Sequence, residues 1–465
     1  MGIKSHSNGV QQMSTKPFDK VLVANRSEIA RRVARSARAM GIGVVAVHSE
    51  ADAEAPFVKE ADEAVCIGPP SPKDSYLRVD AIVAAAKETG AQAIHPGYGF
   101  LSESVELAKA CEAENIVFVG PPVAAIQAMG GKIEAKQTMQ EAGVPVVPWF
   151  EGALADVEGA VQSAERIGYP VMLKTSAGGG GIGMYKCAKE KALRKNFDDA
   201  KKKGEMFFGS AALMLEKYIE NPHHVEVQIL ADTHGNTLHL FERECSVQRR
   251  HQKLLEESPS PFLSDMTRMA MCEAAVTAAK TVGYVGAGTV EFVVDAEQNF
   301  YFLEMNTRLQ VEHPITEMRL GLDLVEWQLR VAAGESLPWQ QDALVPQGHA
   351  IELRICAEDP EKRFFPSPGA LGEVVWPGGE GIRVDAGVES QSVVQPFYDS
   401  LIAKLIGHGA SRAEAIERLQ KALSETQVDG VTTTLGLHQR ILGEATFQEG
   451  TYDTGYLANV LGLKS

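Results

Sequence analysis

Residues 288–314 read GTVEFVVDAEQNFYFLEMNTRLQVEHP. Thr289 to Asp295 and Phe300 to Met305 are apolar-rich runs separated by Glu297, Gln298 and Asn299, the pattern of an antiparallel hairpin. With Asp295 opposite Phe300, Glu291 falls directly opposite Glu304 on the same face. Side chains so placed lie about 5 Å apart at Cβ, and two carboxylates there repel unless a cation lies between them. Oxygen ligands of this kind suit Mg²⁺, which also takes phosphate oxygens. Asn306, two residues beyond Glu304, shares the face if the strand continues. The hairpin therefore predicts a site for Mg²⁺ and nucleotide phosphates.

The alternation runs on past the hairpin. Glu304, Asn306, Arg308, Gln310 and Glu312 are polar, while Leu303, Met305, Leu309 and Val311 are apolar. As extended chain, this sets the polar groups on one surface above an apolar floor. A strand with one solvated face gives the same pattern. Glu291 and Glu304 argue against it, because their strands are apolar on both faces, where unpaired charge is costly.

Upstream, Val171-Met172-Leu173-Lys174 runs into Ser176-Ala177-Gly178-Gly179-Gly180-Gly181-Ile182-Gly183. Glycines let backbone N–H groups approach phosphate oxygens closely, and Lys174 adds a positive charge at the strand end. The spacing is neither GxGxxG nor a P-loop, and a flexible surface loop fits equally well. Arg249-Arg250-His251-Gln252-Lys253 concentrates positive charge; the net acidity and the lack of interleaved aromatics count against nucleic-acid binding, and a solvated charge run is the plain alternative. Arg354 lies in the apolar strand Ile351 to Ile355, where a charge needs a partner. Either an anionic ligand or Glu352, two residues away, could supply it. His223 and His224 lack the Cys or carboxylate spacing of a metal pair and read as packing or nucleotide contacts.

The rest of the chain supplies an α/β framework. Val21 to Ala24, Val44 to Val47, Ile94 and Ile116 to Val119 read as short buried strands alternating with helices, hence a parallel sheet covered on both faces. A helix from Lys132 closes at Gly143, and a charged helix spans Glu190 to Lys203 before the strand Leu213 to Lys217. A long helix is expected near Met266 to Val282, and a mixed α+β block follows from His349. Hydrophobic residues make up 45% and charged residues 23%, the balance of an ordinary globular protein. A net charge of −16 argues against general nucleic-acid binding. Apolar runs such as Val44 to Val47 are too short to cross a bilayer. Six scattered cysteines without a CxxC pair point to a reduced, cytoplasmic setting. Residues 1–16 carry no apolar segment and read as a disordered leader, with Met13 an alternative start.

Taken in order, several motifs resemble the biotin carboxylase family of ATP-grasp ligases, from Lys20 to Leu463. They are Val23 to Ala30 (VANRSEIA), His95 to Glu103 (HPGYGFLSE), the glycine loop, Glu216-Lys217-Tyr218, Arg243 to Lys253, Phe302 to Pro314, and Tyr398-Asp399-Ser400 with Lys404. The resemblance implies a Rossmann-like domain at 17–130, a mobile ATP-grasp lid at 131–219, a catalytic subdomain at 220–348 and a C-terminal α+β domain at 349–465. It implies ATP held by Lys132, Lys174, His224, Gln248 and His251. Glu216, Lys217 and Ile219 would lie at adenine, with Gly178, Gly179, Gly180, Gly181 and Gly183 in the lid. Glu291, Glu304 and Asn306 match the family's Mg²⁺ (or Mn²⁺) positions, and Arg308, Gln310 and Val311 the bicarbonate pocket. Glu312 would deprotonate bicarbonate, Lys253 neutralise carboxyphosphate, and Arg354 stabilise the oxyanion on biotin.

Ile182, Tyr185, Gly131 and Thr434 depart from the family's usual residues. No Ala-Met-Lys-Met attachment motif occurs, so the resemblance implies biotin on a separate carrier protein, a carboxyltransferase partner and a homodimer. The competing expectations are an ATP-grasp ligase with an amine acceptor and a catalytically silent nucleotide-binding protein. The final carboxyl acceptor is not written in these residues.

Overall fold

Val21, Leu22 and Val23 are apolar and buried, as a central strand covered on both faces requires. In the computed structural model, which describes residues 16–152, 154–176 and 183–463, Lys20–Val23 is the middle of five parallel strands. Their order is Glu63–Gly68, Gly43–Ser49, Lys20–Val23, Ala93–His95 and Val117–Phe118. The helix Ser27–Ala39 buries Ile29, Val33 and Ala37 against this sheet, the stripe expected from their spacing. The last strand is shorter than expected: Ile116 and Val119 are buried, but only Val117 and Phe118 are strand.

Tyr185–Cys187, Val171–Thr175 and Leu213–Lys217 form a separate three-stranded antiparallel sheet. Helices Val157–Ile167 and Glu190–Phe208 close it around its own small core of Leu173, Leu193, Phe197 and Leu215. Gly178 to Gly181 lie outside the described residues. Gly183 is at φ +74°, and a Cβ there would meet Thr175 Cγ2 at 2.8 Å, so glycine is required.

The largest sheet has eight antiparallel strands: Phe300–Asn306, Gly286–Val294, His223–Ala231, Thr237–Arg249, Gln252–Ser258, His349–Cys356, Leu401–Gly409 and Ile382–Ala386. It runs unbroken past residue 348, so the segments on either side share one sheet. The helix Asp265–Thr281 starts at Ser264, whose side chain accepts from Thr267 N, and buries Met271, Ala275 and Ala278 against Val225, Val227 and Phe292.

Two details of the 288–314 stretch differ from expectation. Asp295 is not paired with Phe300. It folds the turn instead, its Oδ1 accepting from Glu297 N and Asn299 N, and Val294 faces Phe300. A bulge at Leu303 then adds one residue, so Glu291 still meets Glu304. The strand also ends at Asn306 rather than continuing to Glu312. Thr307 N and Oγ1 donate to Glu103 Oε1, drawing the chain toward the N-terminal sheet, and Pro314 opens the helix His313–Leu320.

The C-terminal segments are tied to the large sheet through Glu257. Its carboxylate accepts from Arg412 Nε at 2.7 Å and Tyr452 Oη at 2.6 Å and pairs with His349 Nε2 at 2.5 Å. Burial alone would raise this carboxyl, but His349 and Arg412 hold it at about 2 against an ordinary 4.5. A group depressed in this way contributes stability that is complete above the unfolded value and lost as pH falls through the folded one. Parent and Glu257→Gln should therefore differ in urea midpoint at neutral pH and converge as pH drops from 4.5 toward 2. A constant gap across that window would contradict this assignment.

Candidate active site

Register across three strands sets Glu226, Glu291 and Glu304 in one transverse row, with Arg243 beyond Glu226 on a fourth. Buried carboxylates in a row are unstable without intervening cations. Arg243, with no exposed surface, donates Nε to Glu226 Oε1 at 2.6 Å and Nη2 to Gln310 Oε1 at 2.9 Å. Lys253 Nζ reaches Glu226 Oε2 at 2.5 Å, Glu291 Oε1 at 2.9 Å and Glu312 Oε1 at 2.5 Å.

Glu291 further accepts from Asn306 Nδ2 at 2.9 Å and Gln310 Nε2 at 2.7 Å, and its Oε2 lies 2.8 Å from His224 Nε2. Burial works against its charge, yet Lys253 and His224 hold its pKa well below the usual range. Glu304 is the contrast. It has no hydrogen-bond or ion-pair partner among the described residues, and burial and the Glu291 charge push its pKa up, with Lys132 opposing. A facing pair with one carboxylate unpartnered fits a hard divalent cation with oxygen ligands. His224, Glu226 and Glu291 also bring ligand atoms within 4.8 Å of one another.

These groups open onto one cavity of about 500 Å³. Glu291, Glu304 and Asn306 line it, as do His224 and His251. So do Lys253, Arg308, Gln310, Val311, Glu312 and Arg354, although the chain that carries Arg308 to Glu312 is not a strand. Arg308 is braced by Glu103 Oε2 at 3.1 Å and Asn306 Oδ1 at 2.9 Å. Arg354 donates Nη2 to Glu312 Oε2 at 2.9 Å and Nε to Glu256 Oε1 at 2.6 Å. Glu352 is therefore not its partner: neither Glu352 oxygen has a hydrogen bond among the described residues. The Arg354 carbonyl is held by Thr434 Oγ1 at 3.0 Å and lies 2.8 Å from His438 Nε2, which gives the departing residue Thr434 a definite place.

Apart from His224 and His251, the described groups expected at the nucleotide do not line this cavity. Lys174 Nζ is 2.5 Å from Glu216 Oε1, and Lys136 takes the other oxygen. Burial alone would raise the Glu216 carboxyl, but Lys174 and Lys136 hold it at about 2. Lys132 opens the helix Lys132–Glu141 in the same electrostatic neighbourhood, its pKa lowered by burial. Lys217 donates to the Gly168 and Tyr169 carbonyls at 2.9 and 3.1 Å, Gln248 is buried on the large sheet, and Ile219 follows the lid strand. Tyr185 bonds Asp199 and accepts from Lys203 Nζ at 2.7 Å. His223 stacks on Phe262 at 3.6 Å, a packing role.

Glu226, Glu256 and Lys136 were not singled out from sequence, and Glu103 entered only as the end of the motif His95 to Glu103, without a role. Glu226 had a signal: His224, Glu226 and Gln228 alternate with the apolar Val225, Val227 and Ile229.

Residues 17–126 match the biotin carboxylase N-terminal domain, 131–340 the ATP-binding domain of the carbamoyl-phosphate synthase L chain, and 352–459 the biotin carboxylase C-terminal domain. The chain belongs to the biotin carboxylase family. It is an ATP-dependent ligase that carboxylates biotin. Biotin carboxylase 2 of Bacillus subtilis is 54% identical over 440 residues, 95% of this chain and 99% of that one. The biotin carboxylase of Halalkalibacterium halodurans is 51% identical over 448 residues, 96% and 99% of the two chains. The Campylobacter jejuni biotin carboxylase, solved as a βγ-ATP complex, superposes with a TM-score of 0.92 at 46% identity over 95% and 98% of the chains. The biotin carboxylase domain dimer of Hydrogenobacter thermophilus 2-oxoglutarate carboxylase, solved with MgADP and bicarbonate, gives 0.92 at 48% identity over 96% and 98%.

Because Lys253 is the shared cation of three buried carboxylates, Lys253→Met should destabilise the metal-free protein by about 3–5 kcal/mol, the cost of stranding buried charge. Urea unfolding in chelator measures it. A loss below about 1 kcal/mol would show that the carboxylates do not depend on this ammonium.

Proposed function

We propose that this cavity carries out both steps of biotin carboxylation, with the roles of its residues as follows. ATP lies between the lid sheet and the large sheet. Lys132, Lys174, His224, Gln248 and His251 take its phosphates and ribose, Glu216, Lys217 and Ile219 take adenine, and Gly178 to Gly181 with Gly183 close over it. Glu291, Glu304 and Asn306 hold Mg²⁺ or Mn²⁺, whose charge offsets that of the phosphates. Arg308, Gln310 and Val311 seat bicarbonate.

Glu312 removes the bicarbonate proton as the terminal phosphoryl group transfers, giving carboxyphosphate and ADP. Burial tends to raise the Glu312 pKa, but Lys253 and Arg354 depress it strongly, so at rest it is a poor base. An anionic substrate that draws those two cations toward itself restores its basicity at the moment of need. Lys253 then faces carboxyphosphate, which breaks down in the closed site to CO₂ and phosphate; the phosphate takes the proton of the biotin ureido nitrogen, and that nitrogen attacks the CO₂. Arg354 stabilises the negative charge on the ureido oxygen. The observation that carries this reading is the convergence of Lys253, Glu312 and Arg354 on one cavity beside the facing Glu291 and Glu304.

Biotin arrives on a separate carrier protein, with a carboxyltransferase completing the overall reaction. The similar proteins include free-standing biotin carboxylases and biotin carboxylase domains of larger carboxylases, and one neighbour is a dimer, which supports a homodimer here. Among the described residues no helix is long and apolar enough to cross a membrane, and a cytoplasmic setting fits the free cysteines.

ADP release with bicarbonate should be stimulated clearly by free biotin. Glu312→Gln and Arg354→Ala should each lower the stimulated rate by about 100-fold or more, the range for removing a general base or an oxyanion donor. Turnover driven by an amine without biotin would refute the reading.

A further inference from the structure

Behind the Arg354 guanidinium lies a second pair of carboxyls, with no part in the chemistry above. Glu256 and Glu352 stand directly opposite each other on Gln252–Ser258 and His349–Cys356, and both are 0% exposed. Cross-strand side chains in that relation are about 5 Å apart at Cβ. Glu256 Oε1 accepts from Arg354 Nε, leaving Oε2 without a partner, and neither Glu352 oxygen has one. Lys404 sits across from Arg354 on the next strand, but its ammonium is directed to the Val311 carbonyl at 2.9 Å, Glu28 at 3.2 Å and Asp385 at 3.9 Å. Glu312, the remaining acid nearby, is engaged with Lys253 and Arg354.

Two ionised carboxylates at that spacing, away from water, with Arg354 bonded to one of them and Lys404 acting on the other only through space, carry a heavy penalty. A single proton removes the conflict. An O–H on Glu352 donated to the open Oε2 of Glu256 satisfies both and leaves one negative charge against Arg354. Burial raises both carboxyls, Glu352 the further, while Arg354 pulls Glu256 back to about 7.

We propose that Glu256 and Glu352 share one proton and hold a single negative charge behind Arg354, which makes both of them positioning residues for the guanidinium that faces biotin. The proposal rests on the role given to Arg354 above. One charge behind the guanidinium anchors it in place. A second would add negative charge where negative charge must develop on biotin, and would weaken the stabilisation.

Infrared difference spectra and steady-state kinetics on the full chain test this. The parent at neutral pH should show a protonated carboxylic acid C=O band that is missing in Glu352→Gln. Glu352→Gln, a neutral group of nearly the same shape, should keep kcat/KM for biotin within about 3-fold. Glu256→Gln, which removes the anion, should lower it by about 10–100-fold, as loss of an orienting partner does, and calorimetry should show ADP affinity at the parental level. Absence of the band from the parent, or equal losses in the two variants, would overturn the proposal. The band requires no turnover, so a parent that fails to respond to biotin would refute the functional reading and leave the carboxyl pair standing.

Discussion

The site depends on one electrostatic constraint: Glu226, Glu291 and Glu304 are fixed in register by the ladders of three antiparallel strands. Backbone hydrogen bonds set that spacing, so the carboxylates cannot separate to relieve their repulsion. Cations must come to them instead. Arg243 neutralises one end of the row and Lys253 the middle, while Glu304 is left open at the sheet edge. The same sheet continues without interruption to the strand bearing Arg354. The facing carboxylates and Arg354 are therefore placed by one continuous sheet.

Much of this was legible in sequence because a strand's period of two converts spacing into facing. Glu291 and Glu304 are opposed as expected, but the route differs: the turn at Asp295 shifts the pairing by one residue, and a bulge at Leu303 shifts it back. Bulges leave little trace in a single sequence, so the facing was right while the pairing at the turn was wrong. The run from Arg308 to Glu312 shows the opposite case. Its alternation suggests extended chain, yet contacts from Thr307 to Glu103, some two hundred positions earlier, end the strand at Asn306. The residues still reach one cavity, since a curved chain anchored at both ends can converge its side chains as well as a strand can.

What sequence did not mark are the partners that make buried charge tolerable. Glu256 and Lys136 look ordinary among many acids and lysines, and only tertiary contacts show that each neutralises or anchors a functional group. Arg354 illustrates the limit. From the strand alone, Glu352 two residues away is as good a partner as any, yet strand twist and the neighbouring strand bring Glu256 to the guanidinium instead.

Lys253 holds the pieces together mechanistically. In the resting structure its ammonium bridges Glu226, Glu291 and Glu312, so it stands among the carboxylates that a divalent cation would also use. Glu226 and Glu291 each have a second cationic partner, Arg243 and His224, so neither carboxylate depends on the lysine alone. In the proposed reading Glu291, Glu304 and Asn306 would hold the divalent cation, which would supply positive charge to Glu291, the one carboxylate that the proposed metal site and the Lys253 cluster share.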